Sequence, residues 1–436
     1  MAGILIIFLY LFFVFVYFAR SRANTVLNSA KWFIFANLFL VIVYMFGGVH
    51  YYDKLSYYAM SFMLINIISL LTSEHCGYVA SIKKSLYIRL APSSLPRKIR
   101  IIGFLCIIGS WFYITDIMGR GEFSIGLRQG GPLSPLGALG SIFLCTGLFV
   151  WLYSLYIAIE TRRYPSLIGC LCLLFYVSAD VITAARSQTI TMAISTFIVF
   201  LYAIKKSKFK VSARLCSFMI TIMIFSSFIF GYIYLISTTR SVFDPTADMV
   251  VFSESWFGAQ IDNRTMNVLE QVGPLHKPIS DLLFYYSHQL VNFSIYYERY
   301  SYPPTMGLGT FHYITRRFET VLGPLSDGVF NHIDKIFTGV SMSWHTWGTY
   351  QKNMLVDYGK VGAIIVNIIL GFLMGISRRA VTDIPSPINV VLQALICTGA
   401  ILAIHSTPFA SVGWAYPFYM ALLFKISLRR SNCLKS

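Results

Sequence analysis

The sequence predicts an all-α, polytopic integral membrane protein of about 11 transmembrane helices with one large outer loop. Three observations carry that prediction. Of 436 residues, 56% are hydrophobic and only 12% charged, about half the charged share of a soluble domain. The apolar residues gather in runs of about 20, the length that crosses a bilayer as a helix. The basic residues gather between those runs on alternate sides. Together these exclude a soluble globular enzyme and a disordered chain.

In chain order the runs are 2–19, 32–49, 55–73, 101–118, 138–159, 164–182, 187–204, 215–236, 359–377, 387–405 and 409–427. The first lacks a charged n-region and is followed by Arg20 and Arg22, so it reads as a retained helix rather than a cleaved signal. The sixth is the weakest, because Asp180 sits near its end. The last two come from one uncharged stretch of 41 residues, Ile384 to Phe424. That is too long for one span, and His405-Ser406-Thr407-Pro408 supplies the break. A further uncharged run, Leu282 to Tyr297, is rich in Tyr and contains His288 and Asn292. It fits an interfacial or re-entrant helix better than a span; as a span it would invert every later loop.

The net charge of +17 comes from 35 Lys and Arg against 18 Asp and Glu. Connectors 20–31, 74–100, 160–163, 205–214, 378–383 and the tail from 425 hold 22 of those bases and 3 of the acids. The opposite short connectors balance, and 237–360 holds 9 bases against 11 acids. Lys and Arg concentrate on the cytoplasmic side, so the N-terminus is expected outside and the C-terminus inside. The basic excess thereby becomes an orientation signal, and no nucleic-acid partner is expected. The chain divides into 1–236 (eight helices), 237–357 (the outer loop, read as a small, partly helical cap) and 358–436 (three helices and a cytoplasmic tail). Loops beyond about 15 residues tend to be functional. The eight cysteines show no CxxC pairing and the eight histidines no HxxxH or HExxH spacing, so neither a disulfide framework nor a metal site is expected.

Ionisable residues in or beside spans are functional candidates. Asp116, Asp180 and Arg186 lie near outer ends of spans, and Arg240 closes the eighth. The loop adds Arg264, Arg299, Arg316 and Arg317. A guanidinium holds phosphate oxygens bidentately and stays charged where water is scarce. Such arginines beside the outer leaflet suit a lipid-linked diphosphate, while each alone is equally an ordinary solvated or salt-bridged side chain. Arg316 and Arg317 are adjacent and point apart, so one at most faces the site. His345, in SWHTWG, is placed to donate to a phosphate or take a hydroxyl proton, or simply to pack between Trp344 and Trp347. Asp357, in DYGKVG, is expected to cap the ninth span, and Gly359 and Gly362 to allow close helix contact. GLGTF at 307–311 has neither a preceding strand nor a following Gly-Lys, so a turn is expected.

The order of these features resembles a family. AARS opens the seventh span at 184–187 and an arginine closes the eighth before a large outer loop. YPPTMGLGTF stands at 302–311, and TWGTY at 346–350 leads to LVDYGKVG at 355–362. This pattern resembles the bacterial oligosaccharide repeat-unit polymerases, or O-antigen polymerases, whose plan the O-antigen ligases share. The resemblance implies a GT-C-like glycosyltransferase in the inner membrane, its large loop periplasmic. It implies a growing glycan on undecaprenyl diphosphate as donor and a single repeat unit on the same carrier as acceptor. Neither nucleotide sugar, cofactor nor metal is implied. Periplasmic arginines hold the diphosphates in this family, which points to Arg186, Arg240, Arg264, Arg299 and Arg317, with Arg240 also expected to act in catalysis. The ligases carry a histidine at the exit of the large loop. His345 lies in that region, although its spacing to Gly359 is longer and Thr346 follows where the ligases have Asn. A chain-length regulator protein is an expected partner. The competing expectations are a ligase acting on lipid A core, or a lipid-linked oligosaccharide flippase. The flippase requires midspan charge and an internal repeat, and the sequence displays neither.

Overall fold

In a computed structural model, the described residues are 2–20, 26–51, 55–81, 95–119, 134–161, 163–182, 187–207, 231, 259–273, 276–301, 303–307, 310–311, 349–404 and 407–433. They are mostly helical. The helices are α1 (Ala2–Arg20), α2 (Ser29–Phe46), α3 (Tyr57–Ala80), α4 (Arg97–Gly119), α5 (Pro135–Cys145), α6 (Gly147–Thr161), α7 (Leu167–Ile182) and α8 (Ser187–Ser207). After them come α9 (Asn263–Gln271), α10 (His276–Arg299), α11 (Tyr350–Asp383), α12 (Pro387–Leu402) and α13 (Val412–Cys433). Among the described residues, six helical stretches are long and apolar enough to cross a membrane: α2, α3, α4, α5 with α6, α8 and α11. α7 and α12 are shorter apolar helices. Of the predicted span 215–236, only Gly231 is among the described residues.

Local chemistry sets where these helices begin. Asn28, Ser56, Ser134 and Ser386 each accept the backbone N–H three residues on, at 3.1–3.5 Å. That is the N-cap arrangement, and Pro135 and Pro387 follow two of these caps at the first helical position. The predicted span 138–159 proves to be two helices meeting at Thr146, whose hydroxyl donates to the Phe143 carbonyl at 2.6 Å.

α3 and α11 pack in parallel and very closely. Asn367 Nδ2 donates to Asn66 Oδ1 at 2.5 Å, Gly371 lies against Leu70 and Ser73, and Gly375 lies against Glu74. Arg378 Nε then meets Glu74 Oε1 at 2.9 Å, both groups buried. A Cβ on Gly375 would sit 2.0 Å from the Glu74 carbonyl oxygen, and one on Gly77 2.1 Å from that of Phe372. Close contact therefore belongs to Gly77, Gly371 and Gly375, and the expectation that Gly359 and Gly362 make it is corrected. Gly359 instead has φ +68° and ψ −177°, and breaks α11 after its first nine residues. The apolar continuation starts there, where the sequence placed the ninth span.

The ends of the helices share two faces. Lys206, at the end of α8, reaches Glu160 and Tyr156 of α6 at 2.8 Å, and the Tyr156 hydroxyl donates to the Pro385 carbonyl at 3.3 Å just after α11. The basic connectors after α6, α8 and α11 thus lie together. Because α8 and α11 both leave the bundle on this face, the chain must pass to the opposite face between Ser207 and Gly359.

That passage is not made by α10. Leu283 packs on Gly47, which closes α2, and the Tyr286 ring meets Phe39 at 5.3 Å. Further along, Ser294 Oγ accepts the Ser56 amide at 2.7 Å, and the Ser56 hydroxyl donates to Glu298. Gly47 and Ser56 border one short connector, so both parts of α10 rest on the same end of the bundle. The helix lies across that end, as an interfacial or re-entrant segment does. It is buried on two sides. Leu290 and Phe293 join the core of α1, α2 and α3, while Phe284, Val291 and Ile295 pack beneath Val49, Ala259 and Val356. The all-helical expectation misses one small element above it, an antiparallel ribbon pairing β1 (Val49–His50) with β2 (Gln260–Ile261).

Candidate functional site

Two of the strings that carry the family resemblance meet at this end of the bundle. α11 enters it as a buried nine-residue stretch: the Tyr350 amide donates to the Ala403 carbonyl at 2.9 Å, and residues 350–352 and 354–357 are buried. At its far end the Asp357 carboxylate, fully buried, accepts the Thr305 hydroxyl and the Thr310 amide, the latter at 2.5 Å. The backbone adds Thr305 N to Val356 O at 3.2 Å and Met306 N to Asp357 O at 2.8 Å, and the Tyr300 hydroxyl donates to Val356 O at 3.3 Å. Asp357 was expected to cap the ninth span. It clamps Thr305 and Thr310 instead, because the break at Gly359 turns the long helix away from it. The expected turn is present: Met306 and Gly307 have φ +53° and +97°, and the Phe311 amide returns to the Gly307 carbonyl at 2.8 Å.

Cations surround this junction at two depths. Lys352 is 4% exposed, its ammonium 4.5 Å from the centre of the Tyr296 ring. Lys360, exposed at the top of the apolar part of α11, stands 4.0 Å from the centre of the Tyr297 ring. Arg299, one of the predicted diphosphate ligands, closes α10 two residues beyond Tyr297 and is also exposed. An aromatic face under an ammonium fixes it at little cost. The rim of the junction therefore carries one cation, Lys360, held over an aromatic ring, with Arg299 exposed at the end of α10, an arrangement with positive charge available to an anion.

Arg264 stands elsewhere. It lines a cleft of about 310 Å³ with Phe46, Gly47, Thr265, Val268, Leu269 and Leu283. From Leu283 to Arg299 is about 24 Å along the helix axis at 1.5 Å per residue, so Arg264 and Arg299 do not grip one diphosphate. Arg186, Arg240, Arg316, Arg317 and His345 lie outside the described residues. The other membrane-edge acids have structural partners: buried Asp180 accepts the Thr189 amide at 2.6 Å in the first turn of α8, and Asp116 accepts the Ser134 amide at 3.3 Å.

Sequence reasoning passed over Lys352 and Lys360, counting them only in the loop's charge balance. Lys360 lies inside DYGKVG and had a usable signal, the flanking glycines. Lys352 had none, because nothing local indicates that Tyr296, 56 residues earlier, covers it. Comparison with family models, with curated proteins and with solved structures finds no match to this chain.

Proposed function

We propose that the protein is a glycosyltransferase of GT-C type that joins undecaprenyl-diphosphate-linked oligosaccharide repeat units at the periplasmic face of a bacterial inner membrane. The reaction is the one expected of an O-antigen polymerase. A hydroxyl of the acceptor unit attacks the anomeric carbon of the donor glycan. The bond from that carbon to the diphosphate oxygen breaks, the hydroxyl proton goes to a base, and lipid diphosphate leaves. The observation that carries this reading is the junction itself. YPPTMGLGTF and LVDYGKVG, separate in sequence and each a weak signal, are joined through Asp357 at an end of the bundle where a lipid substrate arrives laterally.

Chemically the departing diphosphate gains negative charge, and cations already in place stabilise it without reorganisation. Arg299 and Lys360 take that role in the described part, with Arg186, Arg240 and Arg317 assigned to it from the sequence and His345 as the base. In this scheme the N-terminus is periplasmic, the C-terminus cytoplasmic, and a chain-length regulator a partner.

The test is the surface-glycan ladder of a deletion strain complemented with Asp357→Ala, Arg299→Ala or Lys360→Ala, each at wild-type protein level. Loss of long chains with one capping unit retained is expected from Asp357→Ala, and shortened chains from the two cation variants. Undiminished ladders from all three contradict the proposal, and loss of every attached glycan, single units included, points to a ligase.

A further inference from the structure

The cleft at Arg264 lies at the opposite end of α10 from the junction, and its lining differs in kind. Its walls are apolar, from Phe46, Val268, Leu269 and Leu283, with one guanidinium at the edge. Asp262, two residues before Arg264, is already engaged: it caps α9 by accepting the Thr265 amide at 2.6 Å and stands 4.0 Å from His50. Among the described residues the Arg264 side chain makes no hydrogen bond or ion pair. It is an exposed cation over a greasy floor.

The floor continues down the bundle. Phe35, Ile42 and Phe46 are spaced seven and four residues apart on α2, so they share one face, and all three are exposed. On an apolar helix long enough to cross a bilayer, that stripe is where hydrocarbon chains lie. Val268 and Leu282 extend the exposed apolar surface around the mouth of the cleft. A chain lying along Phe35, Ile42 and Phe46 delivers its head group to Arg264. The cleft is shallow and open to the side, which suits a flexible chain better than a compact solute.

We propose that this cleft binds a glycerophospholipid with an anionic head group, its acyl chain on the α2 stripe and its phosphate on the Arg264 guanidinium. The distance from the junction, about 24 Å along α10, makes the occupant a resident lipid of the bilayer rather than the reacting substrate. Its effect is to seat α9 and the start of α10 against the end of α2. The site is independent of the reaction proposed above.

The test is native mass spectrometry of the full-length protein after delipidation. The probes are phosphatidylglycerol, phosphatidylcholine of the same acyl composition, and undecaprenyl phosphate, each added alone and in competition. Wild-type protein is expected to retain phosphatidylglycerol in preference to both others. Arg264→Ala is expected to lower that retention about tenfold, the loss of one charge-assisted contact, and Arg264→Lys by less. Val268→Glu, which sets a carboxylate at the mouth, lowers it as well. Lys98→Ala, an exposed cation on α4, leaves it unchanged. Equal retention of the two phospholipids, an unaltered Arg264→Ala, or Arg264-dependent preference for undecaprenyl phosphate overturns the proposal.

Discussion

Asp357 and Asp262 show how differently two carboxylates are used at the same end of the molecule. Asp357 is sealed from solvent and ties a loop to the start of α11. Asp262 is at the surface and satisfies the first turn of α9. The Thr265 amide and hydroxyl beside Asp262 hold its carboxyl below the usual carboxylate range. Because its folded-state value is depressed, the cap stabilises α9 above the ordinary carboxylate pKa, and that contribution is lost as the pH falls through the lowered value. Hydrogen exchange of the Thr265 amide is therefore expected to accelerate, relative to the interior of α9, only at acid pH. In Asp262→Ala it is fast at every pH. A Thr265 protection factor that is flat into the acid range in the wild type contradicts this assignment.

At the scale of the element, α11 is two helices joined by a backbone state reserved for glycine. With φ +68° and ψ −177°, Gly359 occupies a region that a side chain makes costly by about 1–3 kcal/mol. Gly359→Ala is predicted to lower unfolding stability in detergent by that amount and to loosen the 303–311 loop, read as increased proteolysis there. Gly119→Ala is the comparison, since Gly119 has no positive φ and open space where a Cβ would stand. Equal effects from the two contradict the role of the break. This element also marks where the sequence was legible and where it was not. The ninth span was placed to begin at residue 359, and the chain does turn there, because apolar run length is a local property. The buried stretch before it was invisible: Lys352 and Asp357 suggest a solvated loop, and they are buried only because Tyr296, Thr305 and Thr310 come to them from elsewhere in the chain. The glycine contacts of α3 and α11 were missed for the same reason. GFLMG at 371–375 has the small-xxx-small spacing of a packed membrane interface, but its partner surface on Gly77 and Ser73 is about 300 residues away in the chain. α10 was legible as an interfacial or re-entrant segment because Tyr, His and Asn are poor company for lipid tails.

For the whole molecule, charge and shape point the same way. The connectors that hold most of the Lys and Arg include those after α6, α8 and α11, whose ends lie on one face. α10, the Asp357 junction and the Arg264 cleft lie where α2 ends and α3 begins. A membrane between the two faces separates a basic side from a side with nearly balanced charge and partly buried cations. Of the predicted site residues, only Arg264 and Arg299 fall within the described part, and they prove to be far apart, a separation no local pattern reveals. The most direct measurement is maleimide labelling of single cysteines in a cysteine-free protein in intact cells. Met306→Cys, at an exposed position in the clamped loop, and Lys98→Cys, at the start of α4, are compared using a membrane-impermeant reagent. Labelling of position 306 in intact cells, and of position 98 only after lysis, is predicted; labelling of position 98 but not 306 in intact cells would put the junction on the cytoplasmic side, away from any outer-leaflet substrate.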